Sequence, residues 1–481
     1  MNMIHNQVRL EQTEKELTRL REDITAWLKH RRARDPYSQY HSQLKTLEVA
    51  LLCAVELLRE KWVDFPRNGP SGALYVLCRA HEKRIYSIRQ VWDYYREKFD
   101  QRDEPHLKQT LAAADEVVWS SYTAPFDNAM VVPTRSPTPL PYISPEFSPR
   151  AIPRTKVPPL LASGADLAFR QSFIQSLPVP LIALPPLCLQ APWWLIYLGH
   201  EVGHHVQYDL HDLLISGFGN RLRQHARGPN DEVLKAEEAQ RWQEWSLEIF
   251  ADCFSLFLLG PGALWAMAEL ERAEPERLLL RGNPLYPPPW VRLNLMARLL
   301  TDSGLKPSDF LADPQNEPWS KPPAGAGPAP VPPDWGAMAA RDLTVLPSIC
   351  RAIRTYDFAG IGNFESLCGW FPDDFRRGGV VDLWEKQLAA DKPPIPQKSR
   401  SAPRFILAAG LERWSKIIGT EKPLERSDQT ERLVERLLPL IIAAREEGTR
   451  GSVAVQSQDV ATAAESFALG LMNLSPDDLA V

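Results

Sequence analysis

Proline sets the first limit on what this chain can fold into. Its 481 residues include 44 prolines, roughly twice the usual share, and they cluster. Each lacks an amide donor and pushes its predecessor out of the helical region, so a dense run cannot be regular helix. One run extends from Pro125 to Pro159, as in Pro133-Thr-Arg-Ser-Pro-Thr-Pro-Leu-Pro141; another, mixed with Gly and Ala, covers 313–334. The first reads as an extended strap over the surface and the second as a linker. These breaks divide the chain into an N-terminal helical bundle (1–124), the strap (125–176), a core (177–312), the linker (313–334) and a C-terminal helical region (335–481). A chain of this length exceeds one compact core, so several domains are expected.

Within the bundle, Leu10, Thr13, Leu17, Leu20, Ile24 and Trp27 recur in steps of three and four with charges between them. This short seam should pack on a neighbouring helix of the same chain. Further apolar stretches run from Leu44 to Leu58 and from Ala73 to Phe99, with a shorter helix around Leu107 to Tyr122. The basic Lys29–Arg34 segment could touch phosphate, but it lies where cations complement a helix end. In the core, Val179–Leu184 between prolines reads as a short edge strand. Pro192 opens a helix, and another runs from about Glu232 to Leu259, stopping at Gly260-Pro261. Gly217-Phe-Gly219 reads as a turn. Beyond the linker, helices are expected near Arg404–Ile418, Gln429–Glu447, kinked at Pro439, and Val460–Leu474.

A net charge of -5 argues against a surface devoted to nucleic acid. The six cysteines form no Cys-x-x-Cys pair, so neither a thiolate zinc cluster nor a dithiol redox motif is indicated, and a reduced setting fits. Neither a signal peptide nor an apolar run of about 18 residues is found, so a cytoplasmic location without membrane contact is expected. The fifteen tryptophans read as core residues.

Residues 193–210 carry the chemistry: Trp-Trp-Leu-Ile-Tyr-Leu-Gly-His-Glu-Val-Gly-His-His-Val-Gln-Tyr-Asp-Leu. His200 and His204 are four apart, so on a helix their imidazoles share a face and can bind one ion. Zinc suits neutral imidazole, and a catalytic site takes three protein ligands with one position left for water. Glu201, beside the first histidine, could reach that water as general base and later protonate the leaving amine. Gly203 leaves room for another element to approach. No histidine follows His225, and Gln207 and Leu210 stand where a metzincin needs Gly and His, so the third ligand must be a carboxylate. Glu248 and Asp252, one turn apart among apolar residues, are the best source, and Glu244 competes with Glu248. Asp252 could accept the second ring proton of a ligand histidine.

This pair of helices, His-Glu-x-x-His followed by Glu-x-x-x-Asp, resembles the gluzincin metallopeptidases. The resemblance covers about 185–300. It implies His200, His204 and Glu248 as zinc ligands, Glu201 as catalytic base and Asp252 as the carboxylate that orients a ligand histidine. It also implies a mainly α protein whose zincin-like core holds a small β-sheet, with an edge strand that pairs with substrate backbone. Tyr286-Pro-Pro-Pro-Trp-Val-Arg292 is faintly similar to the His-Pro segment and later arginine of the prenyl-protein protease type, with Tyr286 in place of the histidine. Tyr286 and Arg292 are candidate donors to an oxyanion, with His205 and His211 behind them, although His205 should point away from the metal. The expected function is zinc-dependent hydrolysis of peptide bonds in an intracellular protein or peptide, with a regulatory protein partner met through the helical flanks. The alternatives are a zinc-stapled helical scaffold and a regulatory protease acting on a transcription factor.

Overall fold

The computed structural model describes residues 2–32, 37–63, 71–128, 137–153, 179–271, 278–279, 284–307, 333–358, 362–419 and 422–446, with a few positions between 462 and 470. The architecture is mainly helical with a small three-stranded sheet. Among the described residues no helix is long and apolar enough to cross a membrane.

Four helices begin the chain: α1 (Asn2–Arg32), α2 (His41–Val63), α3 (Ser71–Asp100) and α4 (Pro105–Asn128). The seam of α1 finds its partners within the chain, since Thr13, Leu17, Leu20 and Ile24 are buried and α1 packs on α2 and α3. The basic end of α1 is answered by acids of the same bundle. Arg31 reaches Asp100 at 2.5 Å and also Asp103, and Arg32 reaches Glu48 at 2.8 Å.

His81 of α3 lies buried, its ring stacked on Trp62 at 4.5 Å. Among the described residues neither ring nitrogen has a hydrogen-bond partner. Burial, reinforced by Arg84, lowers its pKa to about 4. Because the folded value lies below the unfolded one of about 6.5, this histidine costs no stability above pH 6.5. As the pH falls towards 4 the unfolded state binds the proton first, and roughly 3 kcal/mol is lost. Urea midpoints measured across this range should fall, and His81→Phe should flatten that part of the slope. An unchanged slope would show that His81 does not titrate in this way.

The structure corrects the expectation of a surface strap. Helix α4 continues through Pro125 to Asn128, because a proline in the last turn disrupts little of the helix. The stretch then supplies two strands, β1 (Leu140–Ile143) and β2 (Arg150–Ile152), which flank β3 (Leu181–Leu184) in the order β1-β3-β2. Leu140, Pro141 and Tyr142 are buried. Strand β3 is therefore central rather than at the edge, parallel to β1 and antiparallel to β2. Pro141, which has no amide to donate, is placed in an edge strand opposite Ile182. Residues 154–178 lie outside the described residues.

A short helix α5 (Leu187–Gln190) and a 3-10 turn opened by Pro192 lead into α6 (Leu198–Asp209) and α7 (His211–His225). Gly217-Phe-Gly219 lies inside α7 and is not a turn. Each glycine admits a neighbour there, Gly217 the Tyr356 hydroxyl and Gly219 the side chains of Ser246 and Gln243. The helix expected from Glu232 to Leu259 is interrupted at Trp245, giving α8 (Ala236–Glu244) and α9 (Ser246–Leu259). Next come α10 (Pro261–Leu270) and α11 (Pro289–Asp302).

The C-terminal region contains α12 (Pro333–Thr355), α13 (Phe364–Cys368), α14 (Val380–Ala389), α15 (Ala402–Ile418) and α16 (Pro423–Ala443). Pro439 falls within α16. The expected linker lies outside the described residues up to 332, and the last expected helix almost entirely so. One apolar cluster joins α4, α6, α9, α11, α15 and α16. Trp194 stacks on Trp265 at 5.4 Å, and Trp193 on Trp414 at 5.2 Å. These rings tie α15 to α10 and to the turn that leads into α6, as core residues rather than cleft walls.

Candidate metal centre

Helices α6 and α9 come close because glycine faces the contact. A β-carbon on Gly203 would meet the Ala251 Cα at 2.9 Å, and one on Gly199 would meet the Leu259 side chain at 2.4 Å. This proximity brings residues of the second helix onto the histidines of the first. His200 Nε2 lies 3.5 Å from Glu248 Oε2, and His204 Nε2 lies 3.6 Å from Glu248 Oε1. Together His200, His204 and Glu248 form a group that could hold a metal ion. Glu244 lies outside this group, its carboxylate 3.4 Å from the Gln240 amide.

The donor set fits zinc. Bonds of about 2.0–2.1 Å place neighbouring donors of a tetrahedral shell about 3.4 Å apart, close to the separations seen here. Charge agrees with geometry. Glu201, Glu248 and Asp252 are all buried, with the Arg292 guanidinium as a buried cation among them, so the cluster has carboxylates enough to hold a further positive charge.

Asp252 stands behind the histidine, with Oδ1 3.0 Å from His200 Nδ1 but off the line of its N–H, where it can act on the ring's charge and placement. Burial opposes a charge on His200, but Asp252 and Glu248 outweigh it and hold the ring's pKa up at about 10. Burial and the neighbouring His200 lower His204 to about 4. Burial would raise Glu248, yet His200, His204 and Arg292 hold it down at about 2. Asp252 is likewise lowered, Arg292 and His200 overcoming the cost of burial. Glu201 is raised by burial, against the attraction of His200.

Of the expected oxyanion donors, Tyr286 stands on the cleft rim, half exposed, its hydroxyl bonded to Glu248. Glu248 and burial raise its pKa to about 12, so it stays protonated. Arg292 departs from expectation. It reaches the site from the first turn of α11, but its Nε and Nη2 donate to Asp252 at 2.8 and 2.7 Å, and Nη1 to Glu271 at 3.4 Å. Its donors are taken up by carboxylates. His205 points from the cluster and donates from Nε2 to the Leu181 carbonyl at 3.0 Å, fastening α6 to the central strand. The side chain of His211 lies outside the described residues.

The cluster opens into a cleft of about 730 Å³, walled by the β1–β2 connection and β2 on one side and by α10 and Leu285–Tyr286 on the other. Ala151 of β2 donates its amide to the Glu201 carboxylate. Sequence reasoning missed this contact, as well as Tyr208 and Glu271 in the lining. Tyr208 follows His204 by one turn and was in principle legible; Ala151 and Glu271 carry no local signal. Family models, curated proteins and solved structures yield no match to this chain.

Proposed function

We propose that the protein is a zinc metallopeptidase of the gluzincin type with a zincin-like core, hydrolysing peptide bonds of an intracellular protein or peptide. The observation that carries this reading is a buried glutamate, Glu201, beside a two-histidine, one-glutamate cluster that faces a wide cleft. A site serving only to staple helices has no use for Glu201 and closes its fourth position with another protein ligand.

Zinc held by His200, His204 and Glu248 would supply a Lewis acid that makes water nucleophilic near neutral pH. The rest falls to the chain's own groups. Glu201, oriented by the Ala151 amide, takes the proton of the attacking water and returns it to the departing amine. Tyr286, whose hydroxyl rests on Glu248 and would be freed once that carboxylate holds the ion, donates a hydrogen bond to the developing oxyanion. The outer edge of β2 offers backbone groups to an extended peptide, a part first expected of 179–184. Phe147, Leu285 and Tyr286, all exposed on the cleft, offer apolar contact to its side chains.

The test is metal content. Wild-type protein purified with zinc should retain about one ion per chain, and Glu248→Ala should lose it on gel filtration. Zinc unchanged in Glu248→Ala would remove that residue from the ligand set, and none in wild type would defeat the reading.

A further inference from the structure

Arg292 is a charged group of the centre that hydrolysis leaves without a task. It is buried on α11, a helix that supplies no candidate ligand, and its fork grips both oxygens of Asp252 at 2.8 and 2.7 Å. The same Asp252 Oδ1 faces His200 Nδ1 at 3.0 Å. Nη2 also lies 3.5 Å from Glu248 Oε2. A planar two-point contact fixes both the position and the plane of a carboxylate, which a single-point ammonium cannot do. The plane of Asp252 in turn decides where the His200 ring can lie, and with it the direction of Nε2. If Arg292 served only to balance buried charge, lysine would do as well.

Resting on the zinc reading above, we propose that Arg292 is a positioning residue for the metal centre: it locks Asp252, and through it His200, into the ligating arrangement and so slows release of the ion. The guanidinium touches neither substrate nor reacting atoms. Its effect appears in metal retention, and the rate of hydrolysis follows from that.

The experiment measures zinc affinity and release to a chromophoric chelator for the full chain, comparing wild type with Arg292→Lys and Arg292→Met. Both variants should bind zinc about 10- to 100-fold more weakly, with faster release and helical circular dichroism retained. Should the methionine variant fail to fold, the lysine variant, which keeps the buried charge, carries the test. Leu295→Ala, a buried change on the same helix, controls for lost stability and should keep wild-type affinity in its folded fraction. With cobalt in place of zinc, the visible spectrum should shift in Arg292→Lys. Wild-type affinity and spectrum in Arg292→Lys, or an equal loss in Leu295→Ala, would overturn the assignment. Absence of zinc in wild type would instead defeat the underlying reading.

Discussion

Glu201→Gln should bind zinc as the wild type does and cleave a casein-type substrate about 10²- to 10⁴-fold more slowly, the range for losing a general base. Glutamine keeps the size of the side chain and still offers an oxygen to the Ala151 amide, but it cannot accept the proton of water. Assembly of the centre should not suffer. Glu201 is a buried carboxylate whose charge is opposed by Glu248, so neutralising it relieves repulsion. Metal content and rate are therefore separated in one variant. Substantial activity in zinc-loaded Glu201→Gln would assign the base elsewhere, and loss of zinc would make Glu201 part of the binding site itself.

The second large effect concerns the fold. Arg102→Met should destabilise the protein by about 3–5 kcal/mol, the cost of removing one partner from a buried ion pair. Arg102 is almost fully buried, donating to Asp115 at 2.8 Å, the Tyr40 hydroxyl at 2.9 Å, the Lys98 carbonyl at 3.0 Å and the Pro141 carbonyl at 2.8 Å. Tyr40 also donates to Asp115. Methionine replaces the bulk and none of these donors, leaving the charge of Asp115 and two carbonyls poorly compensated. Since Pro141 belongs to β1, the bundle's hold on the sheet should weaken as well. Urea unfolding of both proteins measures this, and a midpoint within experimental error of wild type would reduce the network to surface-like strength.

The candidate centre was legible because its parts are local. His200, Glu201 and His204 occupy one helix, Glu248 and Asp252 another, and the 3.6-residue turn dictates which of them share a face. A buried apolar helix bearing two carboxylates signals a partner, and the partner could be guessed from the histidine pair. The N-terminal seam was legible for the same reason. Arg292 was found by a faint likeness, but its contact was not legible, because nothing nearby in sequence says that its fork meets Asp252 forty residues earlier.

Proline misled where it was read only as a breaker. It excludes regular helix over most of 125–159, but exclusion of helix does not distinguish a strap from strands. Strand pairing is non-local, so β1 and β2 became visible only with β3 between them. The sequence alone determined which helices carry ligand-type side chains and on which faces, because those relations are fixed by backbone geometry within a few residues. The tertiary structure alone decided that Gly199 and Gly203 admit α9, that β2 supplies the cleft edge, and that Arg292 clamps Asp252. Each of these depends on distant segments burying surface against one another, which spacing along the chain does not encode.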